Sequence, residues 1–125
     1  MLQNSPMYSY IPAKDLARAR NFYEKTLGFK PKEVRPDGVI YEFQHGTACF
    51  LYKTPNAGTS AASQAFWQVQ DIEKEVVELV SCGVKFEKYD MPTMDEKGIS
   101  TAGGAKAAWF KDSEGNIMAV IQSLS

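Results

Sequence analysis

The chain has 125 residues, 44% of them apolar, and a formal net charge of −1. A chain of this length buries roughly two-thirds of its unfolded surface, enough for a single globular domain, and its mixed charges exclude a general nucleic-acid binder, which needs a basic face. Two cysteines, Cys49 and Cys82, make no disulfide framework or zinc motif; the N-terminal residues lack the pattern of a signal peptide, no apolar run approaches the ~20 residues that cross a bilayer, and the expectation is a soluble, cytoplasmic protein.

Residues 7–12 read as a strand that closes at Pro12. Asp15 can cap a helix on which Leu16, Ala19, Phe22 or Tyr23, and Leu27 form the apolar face, with Gly28 as its stop. Extended segments follow at 30–35, 39–44 and 47–53, separated by turns at Pro36-Asp37-Gly38 and His45-Gly46. The stretch 55–63 is poor in large apolar residues and reads as a linker. The order then repeats: a strand at 64–70, a helix capped by Asp71 with Ile72, Val76, Leu79 and Val80 on one face, and a stop at Gly83. Strands are expected at 84–89, 105–110 and 117–122, with a long polar loop at 90–104 and a tight turn over Asp112–Asn116. The helix-stopping glycine follows its cap at nearly the same distance in both halves, so the chain reads as two strand–helix–strand–strand–strand modules, about 7–54 and 64–122.

The run Asp15-Leu16-x-x-Ala19-x-x-Phe22-Tyr23-x-x-x-Leu27-Gly28-Phe29, with Trp109-Phe110-Lys111-Asp112-Ser113-Glu114-Gly115-Asn116-Ile117 later, resembles the vicinal oxygen chelate superfamily, the glyoxalase, bleomycin-resistance and dioxygenase group. The resemblance spans roughly residues 7–122. It implies an α+β fold of two tandem βαβββ modules whose curled mixed sheets form a cup, and it implies a homodimer, with the partner chain able to complete the cup. It also implies where a metal would sit. The family's ligand positions fall on Tyr8, Leu51 (Phe50 or Tyr52 if the register slips), Gln64 and Ala119, where metal-bearing relatives place histidine and glutamate. Leucine and alanine offer no lone pair, and a divalent centre of this kind wants imidazole nitrogens and carboxylate oxygens. The single histidine, His45, lies in a turn away from the cup floor. No cofactor is therefore expected.

The expected cup lining is Tyr8, Tyr10, Cys49, Leu51, Gln64, Phe66, Trp109 and Ala119, an aromatic and aliphatic surface with a few neutral polar groups, as in pockets for small organic molecules. The functional expectation is a metal-independent protein that binds a partly aromatic or apolar small molecule, with no nucleic-acid or membrane partner. The alternative is a metal-dependent lyase, isomerase or dioxygenase of the same superfamily. Aromatics on strands are more often core than ligand contacts. Cys49 and Cys82 read as structural, Asp15 and Asp71 as caps, and the 90–104 loop as either a lid or a solvated connection.

Overall fold

Alternation of buried and exposed side chains along β1 (Tyr8–Ala13) sets the plan of the molecule. The computed structural model describes residues 1–125. Ile11 and Ala13 are buried, whereas Tyr8 and Tyr10 stand on the open side. Helix α1 (Leu16–Arg20) begins at Asp15, whose side chain accepts the Arg18 N–H at 3.0 Å. It widens into a π-helical turn over Asn21–Thr26. Together they lay Ala19 and Tyr23 against the sheet, and both are fully buried.

Three strands complete the first module: β2 (Glu33–Arg35), β3 (Gly38–Glu42) and β4 (Ala48–Lys53). Their order in the sheet is β1-β4-β3-β2, with β1 parallel to β4 and the other pairs antiparallel. The second module repeats this plan with β5 (Ser63–Gln68), α2 (Ile72–Ser81), β6 (Ser100–Ala102), β7 (Ala105–Lys111) and β8 (Ile117–Ser123), ordered β5-β8-β7-β6. The fold is thus α+β, with two separate four-stranded mixed sheets. No helix is long and apolar enough to cross a membrane.

The helix-bearing faces of the two sheets share one core. Ile11, Val39, Tyr41, Cys49 and Leu51 from the first sheet pack with Phe110 and Met118 from the second and with Ala19 and Tyr23 of the helix. A second cluster joins Ile72 and Val76 of α2 to Ile99, Ala108 and Val120. The helix-free faces therefore point outward, away from this core.

The turn at Asp112–Asn116 clasps the modules together. Asp112 Oδ2 accepts from the buried Tyr23 hydroxyl at 2.5 Å and from Asn116 Nδ2 at 2.9 Å. Asn116 Nδ2 also reaches the Pro12 carbonyl at 2.7 Å, and its Oδ1 accepts the Gly58 N–H at 3.2 Å, which pins the linker. Gly115 takes the positive φ of this turn, and Asn116 serves as a hydrogen-bond hub.

Two expected strands also move. Residues 84–89 pair only through an isolated bridge between Phe86 and Phe110. The strand in that place is β6, inside the segment read as a loop, where Ser100 bridges Met94 and Ile99 is buried. Asp95 fixes the approach by accepting the N–H groups of Lys97 and Ile99, each at 2.9 Å. The expected strand at 30–35 is shortened to Glu33–Arg35.

Candidate functional site

Strand pairing assigns each expected site residue to a face. Tyr8 lies beside Ala48 and Tyr10 beside Phe50 across the parallel β1–β4 ladder, so these four share the helix-free face. Tyr52 follows Phe50 on that face. The same ladder sets Ser9 beside Cys49 and Ile11 beside Leu51, on the helix side. Cys49 and Leu51 are therefore core residues and not cup residues; Leu51 has no exposed surface, and burial pushes the Cys49 thiol up to about 11. A one-residue offset along β4 accounts for the difference, since neighbours on a strand point to opposite faces.

On the second sheet, Phe66 pairs with Ala119 and Ala119 with Trp109, so these share a helix-free face, while Gln64 falls at a register shift between Ser63 and Ala65. Phe66 is 57% exposed and Ala119 is buried. Trp109 packs at 5.9 Å against Tyr89. Within one chain the eight expected residues thus divide among the first sheet's open face, the second sheet's open face, and the core. Gln64 links the two open faces at their seam: its Nε2 donates to the Tyr10 carbonyl at 2.9 Å, between the outer strands β1 and β5.

The open face of the first sheet carries a stacked aromatic group. The rings of Tyr10 and Tyr52 lie 4.8 Å apart, and those of Phe50 and Tyr52 are nearly parallel at 6.3 Å. Beside them is a depression of about 340 Å³ lined by Tyr8, Tyr10, Arg35, Asp37, Ile40 and Phe50. Arg35 is ion-paired with Glu33, and Lys32 with Glu42. Sequence reasoning missed Phe50 and Tyr52 as primary candidates, although both were reachable by a shift of one residue.

The donor set at the positions implied for a metal does not suit a divalent ion. Tyr8, Phe50 and Tyr52 stand on one open face and Ala119 on the other, with Gln64 at the seam between them, which leaves phenols and one amide as the polar groups. No three His, Cys, Asp or Glu side chains converge anywhere in the chain. His45 sits in a short 3₁₀ turn with a positive φ of 61°.

A larger cleft of about 800 Å³ opens between the modules, lined from β1 by Ser9 and Ile11 and from β5 by Ala65 and Trp67. Phe29, Phe43 and Leu79 extend its apolar wall, and His45 and Glu75 lie at its polar positions.

The chain resembles solved structures along nearly its whole length. TnmS3, an antibiotic binding protein from Streptomyces sp. CB03234, matches with a TM-score of 0.75 at 20% identity, covering 98% of both chains. A glyoxalase/bleomycin resistance protein/dioxygenase from Alicyclobacillus acidocaldarius matches with a TM-score of 0.75 at 16% identity, covering 98% of this chain and 93% of that one. A lactoylglutathione lyase from Agrobacterium tumefaciens gives a TM-score of 0.67 at 15% identity, covering 95% and 93%. These likenesses are of fold. No curated protein sequence matches the chain. The family described as the Glyoxalase/Bleomycin resistance protein/Dioxygenase superfamily matches residues 6–120. With that match running through both modules, and with the paired sheets built as the motifs require, the chain belongs to the glyoxalase/bleomycin resistance protein/dioxygenase superfamily.

Proposed function

We propose that this protein binds a small, partly aromatic or apolar molecule on the helix-free face of its first sheet, without a metal. The observation that carries this reading is the group of Tyr10, Phe50 and Tyr52, stacked on an open face beside a depression large enough for a two- or three-ring compound. Tyr10 is 61% exposed, so its ring is not needed to fill the core and is free to stack on a ligand. The similarity to an antibiotic binding protein supports the binding of a small molecule. The donor set supports a metal-free mode, because the family's ligand positions hold side chains unsuited to a divalent ion.

The open faces also support a homodimer. Tyr8, Tyr10 and Phe66 are exposed apolar groups on outward faces, and a second copy laid across them would turn each shallow face into an enclosed pocket.

Isothermal titration of the protein with neutral naphthol- and phenanthrol-class compounds tests the reading. Saturable binding is expected, at least tenfold weaker in Tyr10→Ala and Phe50→Ala and unchanged after dialysis against EDTA. Binding indifferent to both substitutions, or binding that appears only when Ni²⁺, Zn²⁺, Fe²⁺ or Mn²⁺ is added, would overturn it. Sedimentation equilibrium tests the dimer.

A further inference from the structure

The cleft between the modules shares no lining residue with the depression beside Tyr10 and Phe50. Its inner walls come from the helix-bearing sides of both sheets, where Phe29, Phe43 and Trp67 meet as a ring cluster with centroid separations of 5.2 to 5.9 Å, and Ala48 and Phe66 of the helix-free faces reach its edge at the seam. All three are half-buried, so each presents ring surface to the cleft. Leu79 of α2 continues this apolar wall.

The charges along the cleft are one-sided. No lysine or arginine lines it, and Glu75 is its single carboxylate. Glu75 is half-buried in the first turn of α2 and forms no ion pair, although Glu73 two positions earlier is held by Lys97 and Lys106. Apart from His45, the remaining polar side chains that line it are those of serine, threonine and glutamine, which carry no charge. An unpaired carboxylate lining the same cleft as aromatic rings favours a cation twice over: by charge pairing with the carboxylate, and by attraction to the ring faces. A hydrocarbon or aryl body attached to that cation would gain from the apolar wall.

We infer that the inter-module cleft is a second binding site, taking an amphiphilic organic cation whose charged amine pairs with Glu75 while its apolar body lies against Phe29, Phe43 and Trp67. The volume of about 800 Å³ admits a molecule of drug-like size.

The two tryptophans allow the test to be local. Trp67 lies in the cleft, whereas Trp109 lies on the outward face of the second sheet. In a Trp109→Phe protein the remaining indole emission reports on the cleft alone. The probes are 4-phenylbutylamine, protonated at pH 7, and 4-phenylbutan-1-ol, its uncharged counterpart. The amine is expected to shift or quench Trp67 emission saturably and to bind at least fivefold tighter than the alcohol. Glu75→Gln in the same background is expected to abolish that preference while leaving the alcohol's weaker binding unchanged; because Glu75 has no ion-pair partner to lose, this variant retains its fold. An amine affinity unchanged by Glu75→Gln, or a Trp67 emission that neither probe moves, overturns the inference. The outer-face reading is tested with neutral polycyclic compounds through Tyr10 and Phe50, so the two succeed or fail independently.

Discussion

Glu114, in the last hairpin turn, grips Arg18 in the first helix: Oε2 lies 2.8 Å from Nε, and Oε1 lies 3.0 Å from Nη2. Oε1 also accepts the N–H groups of Lys14 and Asp15 at 2.9 Å, where the helix begins. The Glu114 side chain has no exposed surface.

This clasp predicts a pH-dependent stability. Burial raises the Glu114 carboxyl, but hydrogen bonds from Arg18, the Asp15 N–H and Ser113 outweigh it and hold the group at about 2, below its ordinary 4.5. A depressed carboxylate stabilises the fold fully above its unfolded value and loses that contribution as pH falls through the folded one. Glu114→Gln should therefore cost about 2–3 kcal/mol at pH 7. The gap to the unsubstituted protein should narrow between pH 4.5 and pH 2, read from urea midpoints across that range.

The two cysteines should separate chemically. Cys49 is buried with its thiol pushed up to about 11, and Cys82 is exposed. Ellman's reagent at pH 8 should modify Cys82 rapidly and Cys49 only after denaturation, because the thiolate is the reacting form and access limits it.

The face assignment of β4 predicts opposite consequences for two residues once expected to share a pocket. Leu51→Ala should cost about 2–5 kcal/mol by leaving a cavity in the shared core. Tyr10→Ala, on the open face, should change stability by no more than about 0.5 kcal/mol. Urea denaturation of the two variants checks this directly.

The linker should be intolerant at one glycine. Gly58 has φ +72°, and an added Cβ would lie 2.3 Å from the Glu114 carbonyl oxygen. Gly58→Ala should destabilise by roughly 2–4 kcal/mol, combining backbone strain with displacement of the clasp turn. Gly103→Ala, with φ +59° and open space around its Cβ position, should cost only about 1 kcal/mol. Thermal melts of both variants make the comparison.

The helices were legible because their signals are local. Asp15 and Asp71 each accept the N–H three residues on, as cap chemistry requires, and Ala19, Tyr23, Ile72 and Val76 are buried as helical spacing demands. The face of β4 was not legible, because Cys49, Phe50, Leu51 and Tyr52 are all apolar and offer no alternation to fix the phase. Strand β6 was hidden for the opposite reason. Ser100, Thr101 and Ala102 carry little apolar signal, and their pairing with β7 is set by tertiary contacts. Glu114 and Asn116 read as turn residues, but their partners lie in the first helix, the first strand and the linker. The inter-module cleft depends on β1 and β5 coming together from separate sheets, which no single stretch of sequence encodes.

The clasp also imposes an order of events on the ribosome. Lys14 and Asp15 meet their acceptor 100 and 99 residues later in the chain, and Pro12 and Tyr23 wait 104 and 89 residues for Asn116 and Asp112. Such distant contacts cannot assist an emerging N-terminal segment. While it is being made, the first module must persist with its helix start unclasped and its core open to water. The closing hairpin then completes both halves at once, so a nascent chain stalled before residue 112 would present to chaperones the same aromatic core that the finished protein conceals.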